Sequence, residues 1–211
     1  MSHQLTSEQV IIEIANNHPE ITAYCFCTYT PLLDSTAKPF NPVTNIFLLP
    51  RSQLLAPQNP LVALKERWIV VDGGGVENEA LGITSKIQMN DGRELHLTLI
   101  DFCDEIFGGE KYRRLRISDV RKTLSSLNIG KGYILYSGNS YHFIGEIPSN
   151  SEGYRKLLRA MQEQESIGQS WPEYQLEKGF AVLRVLACPD RDKPHAPYLI
   201  EKYTNTQIPL L

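Results

Sequence analysis

Apolar positions recur along this chain with two different periods, and the alternation between them predicts the order of its elements. Val10, Ile11, Ile14 and Ala15 lie three or four apart behind Thr6 and Ser7, which predicts a capped helix over 7–17 with one apolar face. It ends at Asn16-Asn17-His18-Pro19, since Pro19 biases the residue before it away from helical geometry. Residues 21–29 are rich in β-branched and aromatic side chains and predict a strand. Pro31, Pro39 and Pro42 then punctuate a long irregular connection. Short apolar runs at 44–50 and 67–72 read as buried strands, with 61–64 as a short helix between them.

Tight-turn chemistry takes over after residue 80. Residues 83–89, the turn Asn90-Asp91-Gly92 and residues 94–102 predict a hairpin, because Asp-Gly supplies the positive φ angles that short hairpin loops need. Alternation along its second arm sets Asp101 and Cys103 on one face and Phe102 and Asp104 on the other. Beyond Gly108-Gly109, Ser118 is an N-cap candidate for a helix over 119–127, with Gly130 or Gly132 as its stop. A second hairpin follows, formed by 133–136, the turn Ser137-Gly138-Asn139 and 140–147. Ser149-Asn150-Ser151 then caps a helix over 152–166 with Tyr154, Leu157, Leu158 and Met161 as its stripe. The chain closes with a Val- and Leu-dense run at 181–188 and an extended segment at 196–203. No heptad or internal repeat interrupts this order.

The pattern defines an α+β fold, expected as an N-terminal α/β lobe over 1–80 and an α+β core over 81–211. With 42% apolar and 21% charged residues, the chain falls among sequences that fold unaided. A net charge of −3 offers no general attraction to nucleic acid, so binding of that kind requires a local basic patch. Lys111, Arg113, Arg114 and Arg116, with Tyr112 interleaved, are that patch. No apolar stretch approaches the ~20 residues of a membrane span. The N-terminus lacks a basic segment followed by an apolar one, so a cytoplasmic location is expected and no membrane partner. Cys25, Cys27, Cys103 and Cys188 form no C-x-x-C pair and read as reduced thiols in buried strands.

The usual catalytic signatures are missing. Gly73-Gly74-Gly75 has neither phosphate-loop spacing and reads as a turn, and no H-E-x-x-H, G-x-S-x-G or EF-hand loop occurs. What remains is Ser137-Gly138-Asn139-Ser140-Tyr141-His142, a turn whose hydroxyls, backbone N–H groups and imidazole can hold a phosphate through donors alone. A structural hairpin with a satisfied histidine has the same sequence form.

The order of elements decides how that turn is read. Leu99-Ile100-Asp101-Phe102-Cys103-Asp104, a capped helix, Tyr133-Ile-Leu-Tyr-Ser-Gly-Asn-Ser-Tyr-His142-Phe, another helix and Gly179-Phe-Ala-Val-Leu-Arg184-Val resemble the archaeo-eukaryotic primase superfamily over roughly 83–200. The resemblance implies an RRM-like catalytic sheet with an accessory α/β unit, and template-directed nucleotidyl transfer with divalent metal, Mg or Mn. It implies Asp101 as the first metal-binding acid and a catalytic residue, together with His142. It implies Ser140, His142 and Arg184 as nucleotide-binding residues, beside Ser137 from the turn's own hydroxyls; Lys111, Arg113, Arg114 and Arg116 are where a nucleic-acid backbone is expected, because Arg and Lys supply most non-specific affinity for phosphates. The sequence departs from the family pattern at two places. Cys103 stands where the second acid belongs, leaving Asp104 as a shifted substitute, and the third acid lacks its usual form, with Glu173 or Glu177 nearby. A two-metal transfer needs several carboxylates, so the expectation is a nucleotide- or nucleic-acid-binding protein with a degraded metal site (Asp101, Asp104, Glu173) and weak or no polymerase activity.

Two other readings stand beside it. One is a non-enzymatic interaction module that docks a protein partner through the 31–60 region or the C-terminal tail ending Ile208-Pro209-Leu210-Leu211. The other is a metal-free enzyme acting on a phosphorylated small molecule with His142 as general base, for which no paired nucleophile is evident.

Overall fold

A computed structural model describes residues 4–29, 43–61, 80–107, 111–187 and 195–205. The expected strand at 67–72, the Gly73-Gly74-Gly75 turn, most of the 61–64 helix, Cys188 and the apolar C-terminal end lie outside the described residues.

The chain opens with α1 (Ser7–Asn17), and Thr6 caps it, as the sequence predicts. The Thr6 hydroxyl accepts from the Gln9 N–H at 3.4 Å while the Gln9 side chain accepts from the Thr6 N–H at 2.9 Å, so two otherwise orphaned donors are satisfied. Strand β1 (Ile21–Tyr29) follows and lies between β2 (Val43–Pro50) and β3 (Ala80–Met89), with α2 (Arg51–Leu54) after β2. This central position explains its near-total burial: Tyr24 and Phe26 face the main core, and Cys27 and Tyr29 belong to a smaller cluster on the other side of the sheet. The buried strand expected at 44–50 is instead the sheet's edge, with Ile46 and Leu48 more than half exposed. Apolar composition alone does not separate an inner strand from an edge strand.

The hairpin predicted after residue 80 forms only in part. β4 (Glu94–His96) pairs back on β3, but β5 (Leu99–Asp101) leaves that sheet and pairs with β9 (Tyr141–Gly145). The expected continuous arm at 94–102 is thus a crossing between two sheets. Leu97 still donates to the Ser85 carbonyl at 2.8 Å, and one residue later the Thr98 carbonyl accepts from Gly145 at 2.7 Å. One sheet runs β10 (Val182–Arg184), β3, β1, β2, and the other runs β11 (Tyr198–Thr204), β8 (Lys131–Tyr136), β9, β5, all antiparallel. A separate ribbon pairs β6 (Glu105–Phe107) with β7 (Tyr112–Arg114). The fold is α+β, and one contiguous core draws on α1, both large sheets and the later helices.

Helix boundaries moved where capping geometry outweighed composition. α3 (Ile117–Ser126) starts two residues before the expected 119 with Arg116 as N-cap, because the Asp119 carboxylate accepts from the Arg116 N–H at 2.9 Å. It stops at Asn128, which adopts φ 54, and neither Gly130 nor Gly132 is needed. α4 (Ser151–Gln162) is capped by Asn150 and ends four residues short of the expected 166. α5 (Ser170–Lys178) was not evident from the pattern, since only Pro172 and Gln175 of its residues are buried. Gly179 at φ 82 terminates it. The strand expected over 181–188 is regular only at β10, before the chain turns away.

A buried polar group ties the crossing segment to both neighbours. His96, 2% exposed, stacks on Tyr154 with ring centroids 4.4 Å apart, and its Nδ1 lies 3.0 Å from the Ser85 hydroxyl. Burial depresses its pKa, outweighing the nearby Glu94 carboxylate that acts in the opposite direction. A histidine depressed in the folded state binds its proton more readily when unfolded, so its contribution is intact above the ordinary value of ~6.5 and is lost as pH falls below it. Thermal melts from pH 7.5 down to 5.5 are expected to fall less steeply for His96→Gln than for the wild type. Parallel curves would remove His96 as the cause.

Candidate functional site

The sheet crossing sets the geometry of the site. β5 is three residues long, and its register on β9 pairs Leu99 with Ile144, Ile100 with Phe143 and Asp101 with His142. Leu99 and Ile100 are buried on opposite faces of the strand, and the Asp101 side chain, at the strand end, is 42% exposed. Its carboxylate stands 3.4 Å from His142 Nε2, the separation of an ion pair when the ring is protonated. His142 itself is 7% exposed.

The turn before His142 is held from two directions. Ser137 N–H donates to the Ser140 carbonyl at 2.9 Å, closing the Ser137-Gly138-Asn139-Ser140 loop, and Gly138 adopts φ 112, a conformation costly for any side chain. The Ser140 hydroxyl lies 2.7 Å from the Phe102 carbonyl and 2.6 Å from the Cys103 carbonyl, sharing its proton between them. Arg184, buried on the adjacent β10, donates to the carbonyls of Ser137 at 2.7 Å, Leu186 at 2.9 Å and His195 at 2.8 Å. One guanidinium therefore joins the turn, the end of β10 and the start of the β11 approach. Asp101, Ser137, Ser140, His142 and Arg184, dispersed over 84 positions of chain, are brought together by these contacts.

After Asp101 the chain leaves the extended conformation, which corrects the expected alternation of Cys103 and Asp104. Phe102 N–H donates to Tyr141 and Cys103 N–H to Ser166, at 3.0 and 2.8 Å. Cys103 and Asp104 then line one open groove of about 380 Å³ together with Glu105, Arg114 and Asn139. The Cys103 thiol is pushed up to about 11 by burial and by the Asp101 and Asp104 carboxylates, so it is neutral at physiological pH. Glu173 is exposed on α5. Among the described residues no three His, Cys, Asp or Glu side chains converge closely enough to enclose a cation.

The basic cluster divides by direction. Arg113 turns toward α3 and forms a two-pronged ion pair with Asp119 at 2.7 and 2.8 Å, and this hydrogen bonding raises the guanidinium's already high pKa. Lys111, Arg114 and Arg116 are exposed. Asn139 and Glu105 were not singled out from the sequence. The signal available was the alternation Glu105-Ile106-Phe107 and Tyr112-Arg113-Arg114 around Gly108-Gly109, a hairpin pattern read only as a break.

Antiparallel sheets under helices, with an acid at one strand end facing a Ser-x-His on the neighbouring hairpin, define a primase-polymerase-like protein. The family described as AEP-like, archaeo-eukaryotic primase 1D-like, matches residues 74–197, more than half of the 211 residues, and the chain belongs to that family. Comparison with curated proteins and with solved structures gave no match.

The clamp around the turn is directly testable. Ser140→Ala leaves two carbonyls without their hydroxyl donor, and urea unfolding is expected to show a loss of about 1–3 kcal/mol at unchanged m-value. Arg184→Lys should also destabilise, because a single ammonium cannot span three carbonyls as the planar guanidinium does. Wild-type midpoints for both variants would show that the turn is held by other contacts.

Proposed function

We propose that this chain binds a nucleotide or a nucleic-acid end at the Ser137–His142 turn, and that its metal site is too degraded for more than weak polymerase activity. The register pairing of Asp101 with His142 carries the reading. It sets an imidazole and an acid beside a groove whose rim includes the Asn139 amide and the Arg114 guanidinium, donors suited to phosphate. Family membership supports nucleotide or nucleic-acid interaction as the shared activity. A cytoplasmic location is consistent with this ligand class, and among the described residues no helix is long and apolar enough to cross a membrane.

The donor chemistry does not fit a two-metal centre. Magnesium and manganese favour anionic oxygen ligands, and the residue two after Asp101 offers a neutral, half-buried thiol. Asp101 lies against His142, and Asp104 and Glu105 line the groove, but among the described residues no three such side chains converge as a paired-cation site requires. This chain's residues therefore act by binding: His142 and Asn139 orient the anion, and Asp101 holds the imidazole in position.

The alternative, a protein-interaction module on the same fold, is favoured by one observation. Ile46 and Leu48 are exposed on edge strand β2, inside the 31–60 region where docking is expected.

Thermal-shift titrations with nucleoside triphosphates and a short single-stranded oligonucleotide, with Mn²⁺ or EDTA, discriminate these readings. A saturable rise in melting temperature is expected, retained in EDTA and absent in His142→Ala. Primer extension with Mn²⁺ is expected at background. Absence of any ligand-induced shift favours the interaction module, and robust extension refutes the degraded metal site.

A further inference from the structure

The lysines of this chain divide by their partners. Among the described residues Lys86, Lys131, Lys156 and Lys202 form ion pairs with Glu94, Glu146, Glu152 and Glu13 respectively, and Lys111 and Lys122 are exposed to water. Lys178 has neither arrangement. It is the last residue of α5 and half-buried, and among the described residues no carboxylate stands within ion-pair distance of it. Its amine lies over two aromatic rings instead, 4.7 Å from the Tyr174 centroid and 4.9 Å from that of Phe180. Tyr174 is one turn back on the same helix, and Gly179, at φ 82, turns the chain so that Phe180 meets the amine.

The groups around this amine supply no counter-ion. Lys86 on β3 reaches the same Phe180 ring, at 5.9 Å, and is held by Glu94 at 2.9 Å. Cys27 on β1 is buried, and its thiol is pushed up to about 12, so it is neutral at physiological pH. Glu177 is the preceding residue, and successive residues of a helix do not face one another. The rings and the helix C-terminus favour the ammonium, withdrawal from water favours the free amine, and burial brings the Lys178 pKa down to about 8.

We propose that Lys178 is a nucleophilic amine and the site at which this chain is acylated by an activated acyl donor, an acyl phosphate or a thioester. The proposal is independent of the Ser137–His142 turn. In the step, the free amine attacks the acyl carbonyl and a C–N bond forms. The C–O or C–S bond to the leaving group breaks, its electron pair departs with the phosphate or thiolate, and that group takes up the proton shed by nitrogen. Desolvation is what makes a lysine a nucleophile in proteins, whereas an ordinary exposed lysine is almost wholly protonated at neutral pH. The product also suits its place: an amide carries no charge, so its half-burial beside Tyr174 and Phe180 carries no ionic desolvation cost.

The test treats the folded full chain with limiting acetyl phosphate, and in a second arm with a small acetyl thioester, from about pH 6.5 to 10, and measures acetylation of each lysine by peptide mass spectrometry. At pH 7.5 Lys178 is expected to react at least about tenfold faster than Lys122 and Lys156, because a pKa of about 8 leaves far more free amine than the ordinary ~10.4. Its rate is expected to level off above about pH 9 while theirs continues to climb, and unfolding in urea is expected to erase the difference. A preference for Lys178 with either donor supports the site and identifies its leaving group. Equal rates for the three lysines with both donors overturn the proposal, as does a Lys178 rate that climbs in step with theirs to the top of the pH range. A preference that survives urea also overturns it, since the reactivity then belongs to the local sequence and not to the folded site.

Discussion

Everything near the candidate site depends on one short pairing, that of the three-residue strand β5 with β9. β5 arrives from the first sheet, where β4 is still hydrogen-bonded to β3, and its transfer to the second sheet joins the two into one core. Strand pairing is specified to the residue because a slip of one position turns every side chain to the opposite face. Leu99 and Ile100 are fully buried, so a slip would cost core burial, and the register they enforce sets Asp101 opposite His142. The packing of two apolar residues therefore determines the placement of a polar pair.

Around that pair the structure uses its strongest hydrogen-bonding groups to hold backbone. Ser140 and Arg184 donate to five backbone carbonyls between them. Both residues are buried, so those carbonyls have few other ways to be satisfied. A turn held in this way places Asn139 in the lining of the groove at little conformational cost, which is the preorganisation that the proposed binding would draw on. Rigidity here and nucleotide recognition are compatible roles for one motif.

The substitution of a thiol at the second acid position changes the electrostatics more than the shape. A carboxylate at Cys103 would add a third negative charge beside Asp101 and Asp104, a grouping that is stable only with cations between. The neutral thiol removes that requirement and fits the close packing against Gly168, whose φ is 75. The acids at 101 and 104 are then tolerable without a metal, in keeping with the binding role proposed above.

Much of this was legible in the residue order. Thr6 and Asn150 announced their helices, the Asp-Gly and Ser-Gly-Asn turns announced two hairpins, and the spacing from Asp101 through Ser140 and His142 to Arg184 announced the family. These features are local, or are fixed strings, and depend on capping and turn chemistry that a few neighbouring residues settle by themselves. Three things required the tertiary structure. Which sheet the 94–102 segment joins, whether 44–50 is inner or edge, and whether each arginine of the basic cluster faces solvent or an acid are set by contacts between residues far apart in the chain. Arg113 and Arg114 are adjacent in a strand, yet Arg113 is paired with Asp119 while Arg114 lines the groove. Local patterns determine elements; the competition of distant segments for a shared core determines which side chains are left to meet a ligand.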